Sequence, residues 1–271
     1  MRKNRQLLVI DPQNDFMDIS GAALPVKGAT ADMERLAHLI EAAGVQISEI
    51  TVTLDSHHRI GIERPALWKT AADGSDVAPF TPISAADVRA GKFRPAADSP
   101  RVLAYLDSLE AGGRYQLMVW PVHCEIGTWG HNVQDTLRAA YNRWEEMTLR
   151  PVRKVFKGMN AWTESYSALQ AEVPDLQDPD TQLNTGLIAS LDHGDELVIG
   201  GEASSHCVRA TVEHLAQHLP SGRMNKLVIL EDCMSPVAGF EGQAEQFLAS
   251  MSARGATVTT SGAYLQQILA T

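Results

Sequence analysis

Residues Gly201–Thr211 read GEASSHCVRAT, and one residue separates them from the apolar run Glu196–Ile199. That run predicts a buried β-strand, and the 3.6-residue periodicity over His206–His218 predicts a helix that begins inside the quoted stretch. Cys207 therefore stands at a strand-to-helix turn. A helix N-terminus has unpaired N–H groups and a positive partial charge, which lower the pKa of a thiol and can bind an oxyanion. The stretch predicts an α/β unit with a candidate nucleophile.

The same alternation of strand and helix patterns runs along the whole chain. Short apolar, β-branched runs predict strands at Leu7–Ile10, Ile47–Thr53, Tyr115–Val119, Val152–Phe156, Glu196–Ile199, Leu227–Leu230 and Thr257–Thr260. A 3.6-residue apolar periodicity predicts helices at Ala31–Ala43, Val102–Glu110, His131–Trp144, Gln182–Leu191, His206–His218 and Gly242–Arg254. This order predicts a mostly parallel sheet with helices on both faces. We interpret residues 1–271 as a single domain with an insertion at about 58–98 that covers a site or mediates assembly.

Composition and charge exclude several classes of function. Of the 271 residues, 44% are hydrophobic and 21% charged, which is typical of a globular protein. The net charge of −10, without a basic block, argues against nucleic acid as a partner. No apolar run approaches the roughly 18 residues of a membrane span. Three widely spaced cysteines and an N-terminus without a cleavage site predict a cytoplasmic protein with reduced thiols and no membrane partner.

Ionisable and nucleophilic side chains follow several of the predicted strands. In chain order they are Asp11, Asp55, His57, His123, Lys157 and Cys207. Open α/β sheets bind ligands at the carboxyl ends of their strands, so this placement predicts an active site. By position alone, Cys207 also fits a buried and inert cysteine, because a nucleophilic thiol needs a base and a cation nearby. Asp11 and Lys157 are the candidates for these roles.

A second group of residues has the chemistry of a metal site. Asp55 and His57, together with the distant His123, offer one carboxylate and two imidazoles, a set that suits Zn²⁺, Fe²⁺ or Mn²⁺. The Asp-x-His pattern alone is also typical of surface and helix-cap residues.

Blocks of sequence around these residues resemble the nicotinamidase branch of the isochorismatase-like cysteine hydrolases. In the order of that family they are VIDPQNDF (Val9–Phe16), TLDSHH (Thr53–His58), WPVHCEIGTWG (Trp120–Gly130), FKG (Phe156–Gly158) with SYSA (Ser165–Ala168), and GGEASSHCVRAT (Gly200–Thr211). The resemblance implies a three-layer, doubly wound fold with a mostly parallel six-stranded sheet. It also implies a cysteine amidohydrolase that converts nicotinamide and water to nicotinate and ammonia through a thioester on Cys207.

The resemblance assigns roles to the candidate residues. Asp11, Lys157 and Cys207 correspond to a catalytic triad, in which Asp11 takes the thiol proton and passes it to the leaving ammonia. Lys157 holds the thiolate and Asp11 in register. The backbone N–H groups of Ala203 and Cys207 correspond to the oxyanion hole, next to a cis peptide at Glu202–Ala203.

In the same family pattern, Asp55, His57 and His123 bind one divalent metal ion, for which we favour Zn²⁺ over Fe²⁺ or Mn²⁺. The metal accepts the pyridine nitrogen and positions the ring. Some relatives recruit a fourth side chain shortly after Asp-x-His. Glu63 is the candidate that we favour here, and His58 is the alternative.

The resemblance also makes Phe16, Trp120 and Trp162 candidates for contact with the substrate ring. We interpret Cys124 and Cys233 as packing thiols. His206 is expected to be a turn or wall residue.

The long insertion and the variant residue Glu202 set this chain apart from compact family members. We therefore keep another small amide or ureido compound as an alternative substrate. A vinyl ether hydrolase would leave the metal set without a role, and a silent binding protein conflicts with the retained triad. We expect a homo-oligomer that acts on a small-molecule amide.

Overall fold

Strands and helices alternate along residues 3–270, the part of the chain that this computed structural model describes. The strands are β1 Arg5–Ile10, β2 Glu49–Asp55, β3 Trp68–Thr70, β4 Thr81–Ile83, β5 Phe93–Pro95, β6 Leu117–Val119, β7 Arg153–Lys157, β8 Glu196–Gly201, β9 Leu227–Leu230 and β10 Thr257–Thr259. The helices are α1 Ala29–Ala43, α2 Ala85–Arg89, α3 Ser99–Gly112, α4 Asp135–Thr148, α5 Thr185–Leu191, α6 Cys207–His218, α7 Glu241–Ala253 and α8 Ser261–Leu269.

The central sheet has six parallel strands in the order β10-β9-β8-β1-β2-β7. Every residue of β1 and β8, the two central strands, is buried, as expected for parallel strands that helices cover on both faces. The register pairs Ile10 with Gly201 and Asp55 with Lys157. The carboxyl ends of β8, β1, β2 and β7 therefore lie side by side, and the predicted α/β fold is confirmed.

Helix α1 shows how the apolar spacing places helices against one another. Its buried residues Met33, Leu36, Ala37 and Ile40 recur at intervals of three and four, which puts them on one face. The helix packs against α4 and α8. Helix α8 was missing from the predicted elements, although the Thr260 side chain accepts a hydrogen bond from the Ala263 N–H and so caps its start. Within residues 3–270, no helix combines the length and the hydropathy that crossing a membrane requires.

The predicted strand Tyr115–Val119 is present only as the shorter β6, and its expected place in the sheet was wrong. β6 pairs antiparallel with β4 in a separate two-stranded sheet, with Thr81 opposite Val119. A short apolar run indicates an extended segment, but it does not indicate which strand will be its partner. Here the partner comes from the segment at 58–98, which lies outside the central sheet.

The segment at 58–98 contains the short elements β3, β4, α2 and β5, and β3 pairs antiparallel with β5. Its buried side chains include Ile62, Trp68, Ile83 and Phe93, and they form a hydrophobic cluster with residues of α3 and β6. The Trp68 indole N–H donates to the Ile62 carbonyl at 2.7 Å. The segment therefore folds around its own apolar side chains together with these two neighbouring elements.

The backbones of β8 and β1 approach each other closely at Gly201, the last residue of β8. Its φ is 124°, and a Cβ atom there would lie 2.1 Å from the Ile10 carbonyl oxygen. We expect Gly201→Ala to lower the free energy of unfolding by about 3 kcal/mol, measured by urea denaturation. The matched control is Gly262→Ala in α8, where a Cβ meets no atom within 4 Å. It should raise stability by up to about 1 kcal/mol. Equal effects of the two changes would contradict the close approach.

Candidate active site

The structure brings Cys207 together with Asp11 and Lys157. Cys207 is the first residue of α6, and only 7% of it is exposed. Its Sγ lies 3.5 Å from the Lys157 Nζ, and the nearby Asp11 carboxylate raises the pKa of its thiol. These three residues come from the carboxyl ends of β1 and β7 and from the turn after β8, so the parallel register accounts for their convergence.

Lys157 is a buried ammonium group that lies between two carboxylates. Its Nζ is 3.0 Å from the Asp11 Oδ2 and 2.8 Å from the Asp55 Oδ1, and it also donates to the Ser165 carbonyl at 2.8 Å. Burial lowers the pKa of Lys157, but Asp11 and Asp55 outweigh that effect and hold the pKa well above its usual value. Lys157 is therefore a permanent cation, and its contact with Asp55 joins the candidate triad to the candidate metal ligands.

Asp11 has the environment of a base. It is fully buried, and burial raises its pKa, although the nearby Lys157 ammonium works in the opposite direction. The Thr53 hydroxyl donates to the Asp11 Oδ1 at 2.5 Å, and the Asp11 N–H donates back to the same hydroxyl oxygen at 3.0 Å. A raised pKa makes the Asp11 carboxylate a stronger proton acceptor.

The thiol of Cys207 does not have the lowered pKa that its helix position predicted. Burial raises the pKa well above the usual value for cysteine, and the Asp11 and Asp55 carboxylates add to this, while Lys157 lowers it. Desolvation and the two carboxylates therefore outweigh the helix N-terminus. The resting sulfur is a neutral thiol, and the adjacent Asp11 can accept its proton.

Asp55, His57 and His123 converge in a geometry that fits a metal ion. Each offers one ligand atom, and these atoms all lie within 4.8 Å of one another. The His57 Nε2 is 2.7 Å and the His123 Nε2 is 3.3 Å from the same Asp55 oxygen. The His123 Nδ1 lies 2.8 Å from the Pro121 carbonyl oxygen and 2.9 Å from an Arg64 guanidinium nitrogen, so these groups hold one edge of the ring while the Nε2 faces Asp55. Burial lowers the pKa of both histidines, that of His123 to about 4, and the neutral imidazole is the form that binds a metal.

Glu63, predicted as a fourth ligand, lies outside this group. Its Oε1 is 3.4 Å from the His57 Nδ1, on the side of the ring opposite the converging Nε2. The same oxygen lies 2.9 Å from the Arg64 Nε in a buried ion pair. The carboxylate therefore orients His57 from behind instead of contacting the site where the ligand atoms meet. His58, the alternative, is exposed.

A narrow cavity opens onto Cys207. Aromatic rings form much of its wall, and the residues that matter here are Phe16, Trp120, Tyr166, His206, Asp55 and His123. The sulfur, two of the candidate metal ligands and several flat rings thus face one space. Phe16, Trp120 and His206, the residues expected at a pocket wall, all line this cavity.

Trp162, predicted as a third aromatic wall residue, lies elsewhere. Its ring packs on the Arg101 guanidinium, 4.5 Å from the ring centroid, and it lines a separate surface cavity. The Trp162 backbone N–H donates to the Asn160 side-chain oxygen at 2.8 Å. The aromatic residue that this loop supplies is Tyr166, whose hydroxyl accepts from the Trp120 indole at 3.0 Å. The SYSA block contained that signal.

Sequence reasoning also missed a buried glutamine that holds Asp55. The Gln13 side chain donates to the Asp55 carbonyl at 2.7 Å and accepts from the Asp55 N–H at 2.7 Å. Gln13 lies in the VIDPQNDF block, two residues after Asp11. Glu164 was missed as well, and its carboxyl group lines the cavity with a pKa that burial raises well above its usual value.

The turn between β8 and α6 presents backbone donors to the same cavity. The Glu202–Ala203 peptide is cis, as the resemblance implied. Ala203 and Cys207 both line the cavity. Within residues 3–270 neither of their N–H groups has a backbone acceptor, so both are available to an oxyanion.

Comparisons with known proteins point to one fold. No family model matches the chain. The nicotinamidase of Saccharomyces cerevisiae is 27% identical over 213 residues, which cover 79% of this chain and 82% of the relative. The solved structure of the yeast nicotinamidase Pnc1p, bound to the inhibitor nicotinaldehyde, matches with a TM-score of 0.63 and 21% identity over 94% of this chain and 99% of that chain. The chain has the nicotinamidase fold.

The nicotinamidase fold also relates this chain to the pyrazinamidase of Pyrococcus horikoshii, solved in complex with zinc. That structure matches with a TM-score of 0.56 and 19% identity, over 95% of this chain and 99% of that chain. The resemblance that the sequence blocks indicated is thereby confirmed. The candidate ligand group supports a divalent metal ion in this chain as well.

Measuring the metal content of variants distinguishes the candidate ligands from Glu63, which contacts His57 but lies outside the ligand group. We expect His123→Ala to lose the bound metal during dialysis, because one of three ligand atoms disappears. Glu63→Gln should retain it, since the change removes none of the three ligand atoms and keeps the size of the side chain beside His57 and Arg64. Plasma mass spectrometry of the dialysed variants measures both. Loss of metal from Glu63→Gln to the same extent as from His123→Ala would identify Glu63 as a ligand.

Proposed function

We propose that this chain is a nicotinamidase-type amidohydrolase, which hydrolyses nicotinamide to nicotinate and ammonia through a thioester on Cys207. One observation carries the proposal: a Cys207–Asp11–Lys157 group and a candidate metal group open onto the same aromatic-lined cavity. The similarity to the yeast nicotinamidase supports the choice of substrate.

The geometry supports the following sequence of steps. Asp11 takes the proton of the Cys207 thiol, and the sulfur attacks the carboxamide carbon. The backbone N–H groups of Ala203 and Cys207 bind the oxyanion of the tetrahedral intermediate. Asp11 then gives the proton to the departing ammonia, which leaves a thioester. A water molecule, deprotonated by Asp11, hydrolyses the thioester and restores the thiol. Lys157 keeps the carboxylate and the sulfur in register throughout.

Asp55, His57 and His123 would hold the metal ion, and a bound cation supplies a fixed positive charge that attracts the pyridine nitrogen. We propose Zn²⁺, because one carboxylate and two imidazoles suit it and because zinc was present in the structure of the Pyrococcus pyrazinamidase. The residues of this chain orient the ring from its faces: Phe16 and Trp120 line the cavity as flat apolar walls.

We further propose a cytoplasmic location and self-association. Cys124, Cys207 and Cys233 are all free thiols, which suits a reducing compartment. Exposed apolar side chains such as Ile126, Trp129 and Phe156 are candidates for contact between copies of the chain.

Replacement of the nucleophile is the direct test of the proposed reaction. We expect Cys207→Ala to reduce kcat for ammonia release from nicotinamide by at least about 10⁴-fold, because no thioester can form. Cys233→Ala, a change at another buried thiol, should leave the rate near that of the wild type. A coupled ammonia assay measures both variants, and full activity of Cys207→Ala would exclude the mechanism. Assays with pyrazinamide and with aliphatic amides distinguish the alternative substrate classes.

The pH dependence tests the role of Asp11. Because Asp11 must be ionised to accept the thiol proton, activity should fall as the pH drops through its raised pKa. The Thr53 hydroxyl lowers that pKa through its hydrogen bond. Thr53→Val should therefore move the acidic limb of kcat/KM to higher pH, by about one unit if the bond is worth about 1.4 kcal/mol. If the acidic limb of the Thr53→Val profile stays in place or moves to lower pH, Asp11 is not the base.

A further inference from the structure

Glu202, inside the turn that precedes Cys207, is completely buried and has no part in the steps above. Burial and the nearby Asp32 carboxyl group raise its pKa well above the usual value for glutamate. Asp32, on α1, is also buried, and a hydrogen bond joins the two side chains. Two carboxyl groups in such contact cannot both be ionised, so the pair holds one proton. The Glu202 Oε1 has no partner among the described donors, and this proton satisfies it.

Ser235 connects the carboxyl pair to the turn. Its N–H donates to the Glu202 Oε2 at 3.2 Å, and its hydroxyl donates to the Asp32 Oδ2 at 2.6 Å. Its carbonyl accepts from the Ser204 N–H at 2.9 Å. Hydrogen bonds thus connect the backbone next to Ala203 to Ser235, and Ser235 to both carboxyl groups.

A second connection lies two residues further along the chain. The Val237 N–H donates to the Ser205 hydroxyl at 3.1 Å. Val237 also lines the cavity that contains Cys207. The segment that contacts the carboxyl pair is therefore continuous with a wall of the active site.

The groups around Glu202 and Asp32 can balance one negative charge on the pair but not two. The other ionisable groups that face it are Asp18 near Glu202, and Arg35, Asp232 and Cys233 near Asp32. In the described part of the chain, Arg35 is the one cation among them, and its side chain is 45% exposed. It pairs with Asp32 at 2.9 Å and thereby balances one carboxylate. A second carboxylate would be buried without a counterion.

We propose that Glu202, through the proton that it shares with Asp32, is a positioning residue that holds the N–H groups of Ala203 and Cys207 in place. Loss of the proton puts two negative charges into one buried site and pushes the turn away from Ser235. The oxyanion donors then move with the turn, and kcat falls at alkaline pH. The inference rests on the proposed function, because the oxyanion hole gives this turn its role in the reaction.

Glu202→Gln is the decisive variant. Its amide still donates to Asp32 and accepts from the Ser235 N–H, but it has no proton to lose. We expect its kcat at pH 7 to stay within about twofold of the wild type, and its activity to persist at alkaline pH where the wild type declines. Glu202→Ala should lower kcat by at least about tenfold and change KM less than about twofold, because oxyanion contacts strengthen in the transition state.

The matched control is Glu196→Gln, at the opposite end of β8. Glu196 is also a buried glutamate and pairs with Arg5 at 3.0 Å, far along the strand from the turn. This change should leave the alkaline profile as it is in the wild type.

An infrared measurement tests the proton without catalysis. The wild type should show a carbonyl band of a protonated carboxylic acid that disappears in Glu202→Gln, including if Glu202→Ala fails to fold. An active wild type whose alkaline decline is unchanged in Glu202→Gln overturns the positioning role. A set of acid bands identical in the two proteins overturns the shared proton. Absence of ammonia release from the wild type would refute the proposed function, and with it the catalytic role of the turn.

Discussion

The candidate active site depends on one interaction: the buried Lys157 ammonium between the Asp11 and Asp55 carboxylates. Removing one member of a buried ionic group leaves an uncompensated charge and typically destabilises a protein by about 3–5 kcal/mol. The sheet register makes this arrangement possible, because Asp55 and Lys157 are direct neighbours on β2 and β7. A shift of one residue would turn one of the two side chains to the other face of the sheet. The parallel sheet is therefore the physical basis of the site.

Burial determines how each group at the site behaves. It keeps the Cys207 sulfur protonated, keeps both histidines neutral and makes Asp11 a better base. In water these groups would titrate independently and the ammonium would be screened. In a site closed to solvent, a proton that moves from Cys207 to Asp11 stays close to Lys157, and fixed charges act with full strength. The arrangement favours chemistry that begins with this proton transfer.

A layer of residues behind the candidate catalytic and metal-binding groups holds them in place. Gln13 holds the Asp55 backbone on both sides. Arg64 is fully buried and donates to the carbonyls of Pro121 at 2.8 Å and His123 at 3.0 Å. Arg64 and Glu63 lie at the start of the segment at 58–98, so this segment supplies contacts to the candidate metal site. Through Arg64 it holds the loop that carries His123, which follows β6 outside the central sheet.

The sequence alone determined the α/β alternation, the start of a helix at Cys207 and the identity of the polar residues that follow the strands. These features follow from apolar periodicity and from the position of a residue relative to its own strand, and both are local. Tertiary structure alone decided the strand partner of β6, the location of the Trp162 ring outside the cavity and the His57 nitrogen that Glu63 contacts. It also decided the second partner of Lys157 and the raised pKa of the Cys207 thiol. Each of these depends on burial or on contacts between residues far apart in the chain, and no local pattern of residues encodes them.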